Sequence, residues 1–139
     1  MKDINFSFIN KTKQKVSSRD FLFVLENFAK KMCIKNPIEV SLIIVGKKRI
    51  QNLNYIYRKK DRPTDVLSFP IDITFPVEKQ GIASIKKDQP LVLGDIYICP
   101  AMVEEGELQS TFLHGLIHLI GYDHERDEKE WENFLKKLT

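Results

Sequence analysis

The residue type best suited to chemistry in this chain is histidine, and all three of its histidines lie between residues 114 and 124. His114 and His118 are four residues apart in an apolar helical pattern. This spacing places their imidazoles on one helix face, with Cβ atoms about 5–6 Å apart. Gly121 follows where a C′ glycine would end the helix and let His124 return to the same point. The spacing therefore predicts that three neutral nitrogen ligands converge on one metal ion.

Three histidine ligands leave one coordination position for water, which is the pattern of catalytic rather than structural zinc. The ion would lower the pKa of that water towards about 7 and could polarise a phosphoryl or carbonyl oxygen. Zincin proteases carry a general-base Glu after the first histidine, in the motif H-E-x-x-H, whereas this chain has Gly115. Neutral ligands leave the site charge near +2, which favours a phosphodiester substrate. Arg58 could supply a planar, bidentate donor to its phosphate.

Two other interpretations of the histidines stay open at this stage. They are core or capping residues, each satisfied by a local hydrogen bond, or they form a structural zinc site closed by Cys99. Cys33 and Cys99 are far apart and form no C-x-x-C pair. Both are therefore predicted to be buried apolar fillers rather than members of a disulfide or a redox motif.

The elements that must position these residues alternate between strand and helix patterns. Strands are predicted over residues 4–9, 38–45, 66–71 and 94–99, the second of them buried on both faces. Helices are predicted from Ser17 or Ser18 to about Lys31, then with an inner face at Ile50, Leu53, Asn54 and Tyr57, and over 111–120 and 128–138. Residues 74–90 are predicted to form a long connection. The pattern predicts one α/β or α+β domain over residues 1–139, since no repeat divides it.

Composition and charge limit the classes of protein further. The 139 residues are 42% hydrophobic and 29% charged, which excludes a disordered or collagen-like chain. The formal net charge of +3 is compatible with RNA binding without requiring it. No apolar run is long enough to span a membrane, and the start Met-Lys-Asp lacks the apolar stretch of a signal peptide. We expect a cytoplasmic protein that has no membrane partner.

Three motifs in order give the chain a family resemblance. Residues 114–124 follow H-G-x-x-H-L-x-G-Y-D-H, residues 54–70 follow N-x-x-Y-R-x-K-D-x-P-T-D-V-L-S-F-P, and residues 93–96 read L-G-D-I. Together they strongly resemble the bacterial YbeY family of endoribonucleases, also called rRNA maturation factors. The resemblance implies a zinc-dependent, single-strand-preferring ribonuclease that matures the 3′ end of small-subunit (16S) rRNA and acts in ribosome quality control. It also implies a four-stranded mixed sheet packed against helices, with a zincin-like metal helix and the metal in a cleft.

The resemblance also implies roles for individual residues. His114, His118 and His124 would be the metal ligands, most simply of zinc, and Arg58 the arginine implicated in activity. Thr64 and Asp65 match the family pattern too, and we expect them to build the turn that aims Arg58. The chain departs from the pattern between Cys99 and His114, where it has only fourteen residues. We therefore expect at most a short helix over 100–113, broken near Gly106, and an altered wall of the cleft.

RNA contact has a candidate surface in a cluster of cations. The cluster could follow a phosphate backbone, with Tyr55 or Tyr57 stacking on a base, and consists of Lys47, Lys48, Arg49, Arg58, Lys59, Lys60 and Arg62. The alternative is a solvated helix face balanced by Asp61 and Asp65. The expected partners are single-stranded RNA, small-subunit rRNA and the ribosome or its assembly factors. Two other functions stay open: a metallohydrolase of another substrate such as peptide, and a non-catalytic ribosome-assembly module with a structural metal.

Overall fold

The computed structural model describes residues 4–71 and 89–120. The described elements, in chain order, are β1 Ile4–Asn10, α1 Ser18–Lys31, β2 Ile38–Ile44, α2 Lys47–Arg58, β3 Val66–Pro70, β4 Leu91–Ile98, a 3₁₀ turn Pro100–Met102, and α3 Leu108–Leu119. These elements confirm the strands and the first three helices predicted from the sequence. The predicted helix over 128–138 and most of the connection 74–90 lie outside the described residues, so these predictions stay open.

The four strands form one mixed sheet in the order β1-β2-β4-β3. β1 pairs with β2, and β2 with β4, in parallel, whereas β3 runs antiparallel to β4. This confirms the predicted fold class, a four-stranded mixed sheet packed against helices. β3 is an edge strand with Pro70 at its end, where a residue without an N–H costs no ladder hydrogen bond.

Each face of the sheet is covered by different helices. α1 and α3 pack on one face, where Phe21 and Phe112 meet edge to face with ring centroids 5.4 Å apart. β1 contributes Phe6 and Phe8 to the same aromatic cluster. The opposite face carries α2, whose inner residues Ile50, Leu53 and Asn54 are buried as predicted. None of the helices within residues 4–71 and 89–120 is long and apolar enough to cross a membrane.

β4 begins at Leu91, before the predicted start at Gly94, because a β-bulge interrupts its pattern. Val92 pairs with Glu39 and Gly94 with Val40, so Leu93 is the extra residue of the bulge. Gly94 has a φ of 134°, a conformation that L side chains rarely adopt. A Cβ at this position would overlap the carbonyl oxygen of Phe69 on the neighbouring strand. The L-G-D-I segment thus contains a bulge that requires glycine.

Two predictions about side-chain burial are wrong. Cys33 is exposed, because it is the left-handed residue (φ 57°) that ends α1. Its N–H donates to the carbonyl of Lys30, and the N–H of the buried Ile34 to that of Ala29, the two bonds of a Schellman motif. Tyr57 is also exposed rather than on the inner face of α2. Cys99 is buried, as predicted.

Candidate metal and RNA site

The predicted metal helix exists as α3, and its start is well defined. Gly106, at a φ of 82°, turns the chain into the helix. The hydroxyls of Ser110 and Thr111 donate to the carbonyl oxygen of Glu107, at 3.0 and 2.7 Å. Apolar side chains such as Phe112 and Leu116 then bury the inner side of the helix in the main core. This packing fixes the direction in which the remaining side chains of α3 point.

His114 and His118 both lie on α3, one helical turn apart. His114 is exposed and His118 is half-buried, so neither is enclosed in the core. Each of them makes at least one hydrogen-bonding, ring or electrostatic interaction within the protein. Two imidazoles at this spacing suit two positions of a metal with nitrogen ligands, and in this respect the residues present fit a zinc ion.

The third predicted ligand, His124, lies outside the described residues, and so does Gly121. Within residues 4–71 and 89–120, no three His, Cys, Asp or Glu side chains lie together in a way that could hold a metal ion. The convergence of three histidines therefore stays a prediction.

Gly115, the residue after the first histidine, faces the sheet at very short range. A Cβ built on it would lie 3.0 Å from Cγ2 of Ile96 and 3.2 Å from Oγ of Ser68. The Ser68 hydroxyl also donates a hydrogen bond of 3.1 Å to the carbonyl oxygen of Gly115. The position that carries the general-base Glu in H-E-x-x-H proteases is thus buried against β3 and β4. A carboxylate side chain has no room there.

Arg58 lies on a different face of the sheet from His114. It is the last residue of α2 and is exposed, and the ring of its neighbour Tyr57 meets Phe69 with centroids 5.0 Å apart. Consecutive residues of a strand point to opposite faces, so Phe69 faces α2 while Ser68 faces α3. Arg58 and His114 therefore flank opposite faces of the edge strand β3.

The turn between α2 and β3 is held by its own hydrogen bonds. The buried Asn54 donates through Nδ2 to the carbonyl oxygen of Arg62 at 2.9 Å. Gln51 donates through Nε2 to Oδ1 of Asp61 at 3.0 Å. The carbonyl oxygen of Asp65 accepts from the N–H of Cys99 at 2.9 Å, at the start of β3. These bonds fix the backbone that carries the exposed cations after α2. The role predicted for Thr64 and Asp65 stays a prediction, because the Asp65 bond is made by its backbone and not by its carboxylate.

The interpretation of Cys99 as the fourth ligand of a structural zinc is wrong. Cys99 is buried among Ile43, Leu53 and Leu67 on the α2 side of the sheet. The histidines belong to α3, which packs on the opposite side. The strand separates the thiol from both imidazoles, so they cannot share an ion.

Comparison with known proteins identifies the family. The family model described as Endoribonuclease YbeY matches residues 5–138. The chain belongs to this family. An Endoribonuclease YbeY of Acetivibrio thermocellus is 35% identical over 94% of this chain and 91% of its own length. One of Staphylococcus epidermidis is 42% identical over 79% of this chain and 76% of its own length. The membership makes the chain an enzyme of an endoribonuclease family.

A solved structure supports the fold of this YbeY family member. The solution structure of a Thermotoga maritima protein is 28% identical, with a TM-score of 0.53 over 96% of this chain and 83% of that one.

The short segment between Cys99 and His114 holds only the 3₁₀ turn Pro100–Met102 before Gly106 and the start of α3. This confirms the predicted break near Gly106.

Proposed function

We propose that this chain is a zinc-dependent, single-strand-preferring endoribonuclease. Its task would be to mature the 3′ end of small-subunit rRNA in the cytoplasm and to take part in ribosome quality control. The observation that carries the proposal is the pair His114 and His118, one turn apart on α3 and outside the core, in a chain of an endoribonuclease family. RNA cleavage follows from the family. Zinc and the rRNA substrate are the finer parts of the proposal.

In this proposal His114, His118 and His124 hold the ion. When bound, zinc supplies a Lewis acid for a phosphoryl oxygen and for water. Ser68 and Gly115 hold α3 against the sheet, so that the two helical histidines keep a fixed position relative to β3. Arg58 donates to a non-bridging phosphate oxygen of the RNA strand that passes the edge of β3. Its planar fork suits phosphate better than an ammonium would.

The alternative of a peptide hydrolase meets a steric obstacle. The zincin mechanism needs a carboxylate directly after the first histidine. In this chain that position is filled by Gly115, which is packed against Ile96 and Ser68. A general base for amide hydrolysis would have to come from another element. The phosphodiester substrate is therefore favoured.

The first experiment measures cleavage by the purified chain of a labelled single-stranded RNA and of its duplex. We expect the single strand to be cut, the duplex to be spared, and activity to disappear with a chelator and return with zinc. His118→Ala and Arg58→Ala should each lose most of the activity while keeping the far-UV circular dichroism of the wild type. Arg19→Ala is the matched control, because Arg19 is an exposed arginine near the start of α1. The nearby Phe21 packs on Phe8 of β1, the edge strand opposite β3.

Three results would contradict the proposal. Cleavage that persists in His118→Ala would assign the activity to a contaminant. Binding of RNA without cleavage in the zinc-loaded wild type would favour the assembly module, in which a metal only holds the loop. Cleavage of casein under the same conditions, with RNA left intact, would favour the peptide hydrolase.

The substrate and its location need separate tests. A small-subunit rRNA precursor with a 3′ extension should be cut at the extension, and an unrelated single strand of equal length should be cut more slowly. Cells that lack the protein should accumulate the extended precursor, and the tagged protein should be found with ribosomal particles in the cytoplasm. Equal cleavage of both RNAs would overturn the rRNA part alone.

A further inference from the structure

Three aromatic rings form a continuous row on the α2 side of the sheet. We call Tyr57, Phe69 and Tyr97 the aromatic row. The ring of Tyr57 meets that of Phe69 at 5.0 Å and 67°, and Phe69 meets Tyr97 at 5.6 Å and 86°. The row thus leads from the end of α2 across β3 to β4. The side chain of Tyr57 is 63% exposed, and the other two are half-buried.

The aromatic row ends beside a group of exposed cations. Two of them, Arg58 and Lys59, follow Tyr57 directly in the chain, whereas Lys60 and Arg62 belong to the turn that folds back on Asn54. The same stretch contains two carboxylates, of which Asp61 accepts a hydrogen bond from Gln51 and Asp65 one from Thr64. A third, Asp95, is half-buried opposite Phe69 in the strand register. Arg58 and Lys59 thus put positive charge at the exposed end of the row, and Asp95 puts a carboxylate beside its half-buried part.

We propose that the aromatic row is a base-stacking subsite for single-stranded RNA, a proposal that rests on the proposed function. Exposed rings beside cations are the combination by which proteins hold single strands, because every base has a π-face and every phosphate a negative charge. A purely apolar protein segment would gain nothing from the cations. RNA is therefore the occupant that the charges favour.

The position of the row sets which nucleotides it contacts. The row lies on one face of β3, whereas His114 and His118 belong to the helix on the other face. An RNA strand that contacts both must therefore pass around β3. The nucleotide on Tyr57 is thus separated from the scissile phosphate by more than one step along the chain. A dinucleotide is too short to occupy both places.

This geometry gives a test that does not depend on cleavage. Binding of a fluorescent single-stranded RNA of about 10 nucleotides, a typical site size, is measured by anisotropy without added zinc in a His118→Ala background, which should bind RNA without cleaving it. Tyr57→Leu should weaken binding about 5- to 160-fold, the range found when a base loses one aromatic partner. Tyr57→Phe should restore it to within about twofold, because it keeps the ring. Phe23→Leu, which changes an aromatic residue that is 69% exposed on α1, is the matched control and should have no effect.

The length of the RNA separates this subsite from a general weakening of the protein. In the chain with His118 intact, Tyr57→Leu should raise KM for the longer RNA and leave cleavage of a dinucleotide unchanged. Thermal unfolding of each variant shows whether it is folded. If Tyr57→Leu does not fold, Tyr97→Leu tests the aromatic row at its other end.

Each outcome decides between the two proposals. Unchanged RNA binding by Tyr57→Leu overturns the subsite, even if the wild type cleaves RNA. Equal losses for Tyr57→Leu and Tyr57→Phe also overturn it, because they would point to the hydroxyl instead of the ring. Loss of binding to a protein partner, with RNA binding intact, would assign the row to protein recognition. Dependence on Tyr57 in a chain that does not cleave RNA would keep the subsite and overturn the nuclease.

Discussion

The substitution Gly115→Ala tests how closely α3 is packed on the sheet. The new Cβ would lie 3.0 and 3.1 Å from the two terminal carbons of Ile96, and 3.2 Å from the Ser68 hydroxyl. Contacts this short force one of the neighbours to move. Ile96 is fully buried in the core, so the movement falls on α3 or on the side chain of Ser68, whose hydrogen bond to the Gly115 carbonyl would then stretch.

Two terms lower the stability of the Gly115→Ala variant and one raises it. Overpacking a core costs about 1–3 kcal/mol, and a weakened hydrogen bond adds about 0.5–1.5 kcal/mol. Alanine regains roughly 1 kcal/mol over glycine in a helix interior. We therefore expect the free energy of unfolding to fall by about 0.5–3.5 kcal/mol. For a chain of this length, each kcal/mol lowers Tm by roughly 2–4 °C.

Urea unfolding followed by circular dichroism measures this change. The helix-propensity term can be calibrated within the same chain at Asn27, an exposed interior position of α1. The stability difference between Asn27→Gly and Asn27→Ala gives the gain that alanine brings without contacts. A Gly115→Ala variant that is more stable than the wild type by that same gain would refute the close packing and, with it, the steric argument against a general base at position 115.

Three further substitutions test other parts of the site's support. Gly94→Ala should lower the free energy of unfolding by more than about 2 kcal/mol, since the left-handed φ and the Phe69 carbonyl both oppose a side chain; a loss below 1 kcal/mol in urea would contradict this. Ser68→Ala should lower the free energy of unfolding by about 0.5–1.5 kcal/mol and weaken zinc binding in a titration, because it removes the hydrogen bond between β3 and α3. Unchanged zinc affinity would show that this bond does not position the histidines. Cys33→Gly should raise Tm, since glycine adopts the left-handed conformation without the roughly 1 kcal/mol that another residue spends there, and a lower Tm would argue against the Schellman geometry.

Most of the fold was predictable because the apolar patterns are regular. β2 shows a nearly continuous β-branched run, which is typical of a central strand, and Phe21, Leu25 and Phe28 form a clear helical stripe on α1. The start of β4 was missed because the bulge at Leu93 and the following glycine break the alternation on which strand prediction depends.

The candidate site was predictable only in part, because its arrangement depends on tertiary packing as well as on local spacing. The i, i+4 spacing of His114 and His118 fixes their relation on any helix, so the local geometry followed from the sequence. The position of Arg58 across β3 depends on which face of the sheet each helix covers, and no local pattern encodes this. Tyr57 fits an inner helix face by spacing, yet its ring packs at the side of the helix on Phe69.

The bulge in β4 divides two tasks between adjacent residues. Leu93 fills the core with a side chain, while Gly94 makes room for the backbone of the edge strand. With Leu93 deleted, the strand would still alternate correctly, because Gly94 already pairs with Val40, but the core would lose a leucine opposite α1 and α3. Homologues or designs that shorten β4 by one residue would then need a larger apolar residue in place of Gly94. The edge strand β3 would have to lie further from β4 at that point to accommodate the side chain.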